Sequence, residues 1–266
     1  MSYSKRTRTL KNGSFIGKSV LYWMVRDKRF NDNWALLAAQ KAALKNRVPL
    51  HVCFQYNPKA KTATLREYDF LFKGLKETES KLFKHNIQFH LLKGDVLNQI
   101  LALCNKINAG TLITDFSPLK IYKRRLNKVL KNVDCPVYQT DAHNIIPVWK
   151  TSDKKEFAAH TIRKKINNLL AEYLDEPSNC IFHPYGQAKT SKINWEEVIE
   201  ELEIDRSVKP VSWVTAGEKA AIETLVAFKT NLDGYNLKRN ENSLHLLVYL
   251  LFLLDLAVFQ YRQFPH

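Results

Sequence analysis

Short apolar segments alternate with helix-like segments over residues 19–142, and this alternation restricts the possible folds of the chain. Apolar side chains recur at helical spacing between the segments that predict strands. Strands separated by helices of this length pair in parallel through right-handed crossovers. The sequence therefore predicts an α/β fold with a doubly wound, five-stranded parallel sheet. The predicted strands span residues 20–24, 49–54, 87–92, 111–114 and 136–140.

Two polar residues predict where helices begin. Thr64 followed by Glu67 has the spacing of a capping box, in which side chains satisfy the first free amides of a helix. Asp95 precedes another apolar periodicity and predicts a helix start of its own. Further helices are expected after residue 150, the first of them with Phe157 directed toward a core. They span residues 153–175, 195–202 and 217–229.

The chain divides into four segments by composition. Residues 1–18 carry five cations and no acid, which predicts a disordered basic tail. The segment over residues 244–259 is almost wholly apolar, but it is shorter than the ~20 residues of a membrane span, and Asp255 interrupts it. We divide the chain into residues 1–18 (tail), 19–150 (α/β domain), 151–214 (helix and linker) and 215–266 (a helical region with an atypical apolar end).

The net charge indicates a polyanionic partner. Lysine and arginine number 41 against 26 acids, a formal charge of +15. Such a surplus suits nucleic acid or an anionic membrane face, and a solvated basic surface is the alternative. One predicted helix concentrates the charge, and residues 163–165 form a second cluster. These cations can neutralise phosphates, but they cannot read bases. The cations of the first cluster are Lys120, Lys123, Arg124, Arg125, Lys128 and Lys131.

A ligand site is expected at the carboxyl ends of the strands. In open parallel sheets, ligands bind in the crevice where the strand order reverses. The loops there are residues 25–27, 115–117 and 141–144, and they contribute aspartates and a serine. These side chains can hydrogen-bond a flat heterocycle. The alternative is that they only shape the loops, which the same residue types also do.

Several familiar sites are missing. There is no glycine-rich phosphate loop after the first strand, which disfavours a dinucleotide dehydrogenase, a P-loop enzyme or another adenine-nucleotide enzyme. The four cysteines form no CxxC pair, which argues against structural zinc. His51 and His90 lie inside predicted strands and are expected to be packed or at a sheet edge. His143 and His160 are better placed for function, yet neither has metal-ligand spacing.

Several motifs together resemble the DNA photolyases of the second class, which repair cyclobutane pyrimidine dimers. The resemblance covers roughly residues 19–241, and the motifs agree in order and spacing. Each motif alone is a weak signal, whereas the set is specific. The matching segments are residues 20–24, Arg26 with Asp27, and residues 33–37, 72–77, 114–119, 141–149 and 152–166.

The resemblance implies light-driven splitting of pyrimidine dimers in UV-damaged DNA, with FAD as cofactor. Residues 19–150 then correspond to an antenna domain, for which no particular pigment is implied, and the region after residue 215 to the start of a helical FAD domain. Tyr235 resembles a tyrosine that holds the FAD phosphates, and Arg239 resembles an arginine that contacts DNA. Both also suit an ordinary turn near Gly234. We expect a monomer in the nucleus or cytoplasm, with no membrane partner.

The chain departs from this family after Asn240. The serine- and threonine-rich FAD-phosphate loop expected there is replaced by the leucine-rich segment. We interpret the change as a frameshift, an alternative exon or an error in the predicted transcript, and we expect a catalytically incomplete fragment. The alternative is a non-catalytic chromophore- or DNA-binding module, or a cryptochrome-like light-signalling protein.

Overall fold

A computed structural model describes residues 4–60, 63–154, 156–186, 188–189 and 193–229. Tyr235, Arg239 and the apolar segment 244–259 lie outside these residues. The strands are β1 (Thr7–Lys11), β2 (Ser19–Met24), β3 (Leu50–Tyr56), β4 (Gln88–Lys93), β5 (Ala109–Asp115) and β6 (Val137–Thr140). The helices are α1 (Trp34–Asn46), α2 (Leu65–Lys84), α3 (Val96–Lys106), α4 (Lys120–Asn132), α5 (Val148–Thr151), α6 (Ala159–Tyr173), α7 (Trp195–Glu200) and α8 (Glu218–Lys229).

The sheet has the order β1-β6-β5-β2-β3-β4. All pairs from β6 to β4 are parallel, and only β1 is antiparallel to its neighbour. The predicted α/β fold with five parallel strands is therefore confirmed. The strand order reverses between β2 and β5, because the chain first adds strands on one side of β2 and then returns to the other side. This reversal places the crevice at the ends of β2 and β5.

The central strand β2 is buried on both sides. Val20, Tyr22 and Met24 belong to the core layer shared with α1 and α2. Leu21 and Trp23 belong to the second layer, shared with α3 and α4. Alternate side chains of a strand point to opposite faces, so a continuous apolar run fills both layers of a doubly wound fold.

The prediction that residues 1–18 form a disordered tail is wrong for Thr7–Lys11, which form strand β1. Thr7 pairs with Thr140 and Arg8 with Gln139 in an antiparallel ladder. The Arg8 guanidinium donates to the Gln139 amide oxygen at 2.7 Å and stacks 4.3 Å from the centroid of the Trp149 ring. These partners lie more than 120 residues further along the chain. The local charge therefore suggested disorder, whereas distant polar and aromatic groups accommodate the basic side chains.

The predicted helix starts are confirmed. The Thr64 amide donates to the Glu67 carboxylate at 2.7 Å, and Asp95 accepts the Asn98 amide at 3.0 Å. A third cap was not predicted: Asn33 accepts the amides of the first turn of α1. Local side-chain chemistry thus sets where each of these helices leaves its loop.

The helix predicted over residues 153–175 begins only at Ala159. Ser152 donates to Glu156 at 2.6 Å, and the same carboxylate pairs with Lys165 at 2.6 Å. These contacts hold the preceding turn against the helix. Phe157 lies in that turn and is 92% exposed, so its predicted place in a core is wrong.

The later segments pack back onto the α/β unit. Gln40 of α1 exchanges two hydrogen bonds with the backbone of Ile181. The indole of Trp195, in α7, donates to the buried Glu79 of α2 at 3.0 Å. Glu218, at the start of α8, accepts the backbone amides of Phe30 and Asn31. None of the described helices combines the length and the hydropathy needed to cross a membrane.

Candidate functional site

The candidate site lies where β2, β5 and β6 end. The parallel register carries these three strands to the same edge of the sheet. Their following loops, residues 25–27, 115–117 and 141–144, meet there as the sequence predicts. The site is built mainly from buried polar side chains, and their hydrogen bonds show which of them serve the loops.

Asp115 holds the loop after β2. One carboxylate oxygen accepts the Val25 amide at 2.8 Å, and the other accepts the amides of Arg26 at 2.7 Å and Asp27 at 2.5 Å. The side chain is buried. A carboxylate with three backbone donors is already engaged. Asp115 therefore serves the loop, which is the alternative that the sequence left open.

Asp141 has the same role within its own loop. Its carboxylate accepts the amides of His143 at 3.3 Å, Asn144 at 3.0 Å and Val148 at 3.1 Å. The Asn144 side-chain amide donates to both of its oxygens. Asp141 is fully buried, so it organises the path from β6 into α5 and presents no free oxygen for a ligand.

Asp27 differs from these two aspartates. Its Oδ1 pairs with Arg29 at 2.5 Å and lies 3.9 Å from His143 Nδ1. Its Oδ2 is buried and has no hydrogen-bond partner among the described residues, and the same holds for the Ser117 hydroxyl. Buried polar atoms without partners are rare and costly in native structures. Asp27 Oδ2 and the Ser117 hydroxyl are therefore the atoms of the crevice that could form a hydrogen bond with a polar ligand group.

Two of the buried carboxylates of the crevice, Asp115 and Asp27, differ in pKa. Burial, together with the neighbouring Asp27 carboxylate, raises the pKa of Asp115 to about 7, although its three amide donors act in the opposite direction. Burial would also raise the pKa of Asp27, but the Arg29 guanidinium and His143 outweigh it and lower that pKa. Arg29 also donates to the carbonyls of Asp32 and Ala142. The half-buried Arg29 guanidinium thus favours the ionised form of Asp27.

Aromatic rings border this crevice. The Phe116 and Trp149 rings meet edge to face with centroids 5.8 Å apart. Arg8 covers Trp149, and burial lowers the pKa of Arg8. Arg6 and Arg8 were not predicted to take part in this region, because both fall in the segment that the sequence predicts to be disordered. The alternation of arginine and threonine over residues 6–9 was the signal that could have identified them.

Two cavities of the molecule lie outside the crevice. A cavity of about 590 Å³ lies between the loop after β3, the start of α3 and the outer side of α4. Another of about 730 Å³ lies beside α1 and residues 178–181. The three crevice loops line neither of them.

The predicted histidines have different surroundings. His51 and His90 are packed between β3 and β4, as expected, with Nδ1 of the first 3.0 Å from Nε2 of the second. Burial lowers the pKa of each to about 4. His143 joins the crevice, whereas His160 is exposed on α6. Among the described residues, no group of three or more histidine, cysteine or acidic side chains could hold a metal ion.

The two basic clusters also differ. Lys165 of the second cluster pairs with Glu156 and also donates to Ser152. The six cations of α4 form no salt bridge with any carboxylate in the part of the chain that the structure describes. The apolar face of α4, with Tyr122, Leu126 and Val129, packs into the second core layer. Its charges therefore lie on the outer face.

A doubly wound sheet with a polar crevice at its reversal point defines an α/β domain of the Rossmann-like class. The sequence profile described as DNA photolyase matches residues 20–184, and the chain belongs to this family. This match covers the whole parallel sheet and the three crevice loops.

Three similar proteins are all named deoxyribodipyrimidine photo-lyase. The relative from Potorous tridactylus is 41% identical over 79% of this chain and 40% of its own length. The relative from Arabidopsis thaliana is 35% identical over 89% of this chain and 49% of its own length. The relative from Oryza sativa subsp. japonica is 35% identical over 84% of this chain and 45% of its own length. The chain therefore spans less than half the length of these relatives.

Proposed function

We propose that this chain provides the α/β part of a class II cyclobutane pyrimidine dimer photolyase, which splits pyrimidine dimers in UV-damaged DNA by light. The observation that carries the proposal is the 41% identity, over 79% of the chain, to a relative named deoxyribodipyrimidine photo-lyase. The assignment to class II is supported by the motif set of the sequence. Two of those motifs, residues 114–119 and 141–149, contribute Asp115 and Asp141 to the crevice.

We further propose that the domain division follows this family. Residues 19–150 would be the antenna domain, residues 151–214 the linker, and the region from residue 215 the start of a helical FAD domain. A monomer in the nucleus or cytoplasm remains our prediction. Glu218 supports a contact between the two proposed domains. Its carboxylate accepts the backbone amides of Phe30 and Asn31 and pairs with Lys81 at 3.0 Å. These contacts join the first helix beyond the linker to the α/β unit.

FAD is the cofactor that we propose for this activity, and when bound and reduced it supplies the light-excited electron for dimer splitting. Tyr235 is our candidate donor to an FAD phosphate, and Arg239 our candidate contact to DNA. A tyrosine hydroxyl can donate to a phosphate, and a guanidinium can bind one with two parallel hydrogen bonds. Extrusion of the dimer from the duplex is a physical requirement, because its reacting bonds are inaccessible within the base stack.

The crevice supports a second ligand in the same proposal. Asp27 Oδ2 and the Ser117 hydroxyl, which have no partner in the part of the chain that the structure describes, can accept and donate hydrogen bonds to a heterocycle. Trp149 and Phe116 add aromatic surface close by. An antenna pigment bound there is consistent with these groups, whereas Asp115 and Asp141 would only hold the walls in place.

A repair assay tests the proposal in two forms of the protein. Since residues 1–266 cover 40% of the length of the relative from Potorous tridactylus, we expect these residues alone to retain little flavin and to remove no dimers under blue light. Residues 1–240 joined to the remainder of that relative should bind FAD and remove cyclobutane dimers only in light. The Tyr235→Phe change should weaken FAD retention, and Arg239→Ala should weaken binding to dimer-containing DNA.

The outcomes separate the proposal from its alternative. A folded chimera that binds FAD but leaves dimers intact would contradict the photolyase proposal. If the 266-residue chain retained a coloured ligand while that chimera showed no repair, a chromophore-binding or light-signalling module would be favoured, an alternative suggested by the unpartnered crevice atoms. Dimer removal by residues 1–266 alone would contradict the expectation of an incomplete fragment.

A further inference from the structure

The outer face of α4 is a strongly basic surface that the proposed repair site does not use. Its cations recur at positions 120, 124, 128 and 131, which lie on one side of a helix with 3.6 residues per turn. The opposite side, with Leu126 and Val129, is packed in the core. The charges therefore form a stripe, with a length of about 17 Å at 1.5 Å per residue.

Nothing in the described chain neutralises this stripe. Lys120, Lys123, Arg124 and Lys128 are exposed, and none of the cations of α4 pairs with a described carboxylate. The sequence also has no acid between Asp115 and Asp134. Elsewhere, exposed lysines such as Lys73 do have acidic partners. The unneutralised stripe thus concentrates positive potential on one side of the domain.

The stripe continues into a recess. Arg124, Arg125 and Lys128 line the cavity of about 590 Å³ together with Lys59 and the start of α3. Asp95 also lines it, but its carboxylate caps the Asn98 amide. Lys59 is already paired with Glu203 at 2.9 Å. The uncompensated charge of the recess therefore comes from the α4 side.

We infer that the α4 stripe, defined as Lys120, Arg124, Lys128 and Lys131, binds the phosphate backbone of duplex DNA away from the lesion, without reading sequence. Duplex DNA presents one phosphate per about 3.4 Å of each strand, so a stripe of about 17 Å faces about five phosphates of one strand. Lysine and arginine contacts to phosphate carry no base information. The inference rests on the proposed function only for the choice of DNA as the polyanion.

An anionic membrane fits this surface less well. A helix that lies in a membrane interface buries its apolar face among the lipids. In α4 that face, with Tyr122, Leu126 and Val129, is already packed against the sheet. Only Leu119 and Ile121 remain exposed near its start. The helix therefore offers charge without the apolar surface for insertion, which favours nucleic acid.

The salt dependence of DNA binding tests the inference. The full 266-residue chain is titrated onto a fluorescent, undamaged 30-base-pair duplex, and anisotropy is measured over a series of salt concentrations. Each lost phosphate contact reduces the slope of log K against log salt by about 0.9. The variant K120Q/R124Q/K128Q/K131Q should therefore lower the slope by about 3 to 4, and weaken binding at low salt at least tenfold.

A matched variant controls for net charge. K41Q/K73Q/K76Q/K84Q also loses four positive charges, but from exposed positions on α1 and α2, which pack on the opposite face of the sheet. We expect it to lower the slope by less than about 1, because long-range charge alone releases few counterions. Circular dichroism checks that both variants fold. If the α4 variant does not, K120Q/K131Q replaces it, with an expected reduction of about 2.

Three results would overturn the inference. These are absence of binding to undamaged duplex at low salt, equal slopes for the α4 variant and its control, and loss of binding to phosphatidylserine vesicles in the α4 variant while DNA binding is kept. The test is separable from the repair assay. DNA binding through α4 with no repair by the FAD-bound chimera retains this inference and contradicts the proposed function, whereas repair without an α4 contribution contradicts only this inference.

Discussion

The Asp115 carboxylate accepts the backbone amide of Asp27 at 2.5 Å, and this contact joins the two strand ends at which the sheet order reverses. Both side chains are buried, yet they serve different purposes. Asp115 organises the loop after β2, whereas Asp27 carries a carboxylate oxygen without a partner among the described residues. Of these two aspartates, Asp115 therefore holds the loop, and Asp27 has a carboxylate oxygen that could accept a hydrogen bond from a ligand.

Replacing Asp115 should destabilise the domain strongly. In Asp115→Ala the three amides of residues 25–27 lose their acceptor in a buried environment. Hydrogen bonds to charged groups contribute about 1.5–3 kcal/mol each, so we expect a loss of at least about 3 kcal/mol in the free energy of unfolding, measured with urea. The control is Asp134→Ala at an exposed position, which should change stability by less than about 0.5 kcal/mol. Equal effects of the two changes would contradict this role of Asp115.

Replacing Ser117 tests whether its buried hydroxyl has a hydrogen-bond partner in the ligand-free protein. Because this hydroxyl is buried and has no hydrogen-bond partner among the described residues, Ser117→Ala should leave the free energy of unfolding unchanged within about 0.5 kcal/mol or raise it slightly. The matched change is Thr114→Val, which removes a hydroxyl that donates to the Trp23 carbonyl at 2.9 Å and should cost about 1 kcal/mol. Thermal unfolding of the ligand-free protein compares the two. If Ser117→Ala lost more stability than Thr114→Val, the Ser117 hydroxyl would have a bound partner, such as an ordered water.

Lowering the pH should destabilise the folded domain through His51 and His90. The pKa of each falls from 6.5 to about 4 on folding, so the unfolded chain binds more protons between these values. Their contribution to stability is therefore complete above pH 6.5 and is lost as pH falls toward 4. Each histidine changes the free energy of unfolding by at most about 1.4 kcal/mol per pH unit.

The comparison with H51Q/H90Q isolates this effect. Urea unfolding at several values between pH 7 and 4.5 should show a smaller decrease in the free energy of unfolding for H51Q/H90Q than for the unchanged protein. His160→Gln, at an exposed position, should show the same decrease as the unchanged protein. Asp115, whose pKa is raised, contributes a dependence of opposite sign that is common to all three proteins. Parallel curves for H51Q/H90Q and the unchanged protein would refute the prediction.

Arg6 should be one of the most sensitive positions of the chain. Arg6 is 2% exposed. Its guanidinium stacks 4.6 Å from the centroid of the Trp34 ring and donates to the carbonyls of Asn144, Ile145 and Tyr173. Arg6→Ala leaves buried acceptors unpaired and should cost about 2–4 kcal/mol. Arg6→Lys should recover only part of this loss, since an ammonium cannot reproduce the planar fork.

The control for Arg6 is Arg124→Ala, which removes an exposed guanidinium and should alter stability by less than about 0.5 kcal/mol. Chemical unfolding of all three variants gives the comparison. If Arg6→Ala were as mild as Arg124→Ala, β1 would not be anchored by this side chain, and the disordered tail predicted from the sequence would regain support.

Local patterns determined the architecture of the α/β domain. The apolar runs and helical periodicities identified all five parallel strands, because burial on both faces of a sheet requires continuous apolar segments. The starts of α2 and α3 followed from Thr64 and Asp95, whose side chains act on amides within three residues. Such short-range chemistry is visible in the sequence itself. The position of the crevice followed from topology alone, since strand order and crossover hand leave little choice.

Only the tertiary structure decided which residues of the crevice are engaged. Aspartate can cap a loop or bind a ligand, and the sequence could not separate Asp115 and Asp141 from Asp27. The difference arises from backbone amides that other loops bring within hydrogen-bond distance. The same reason explains β1: a basic segment is ordered when Gln139, Trp149 and Tyr173 supply its partners from the far end of the domain. Sequence sets what a side chain can do, and contacts between distant segments select what it does, because hydrogen bonding and desolvation depend on neighbours in space.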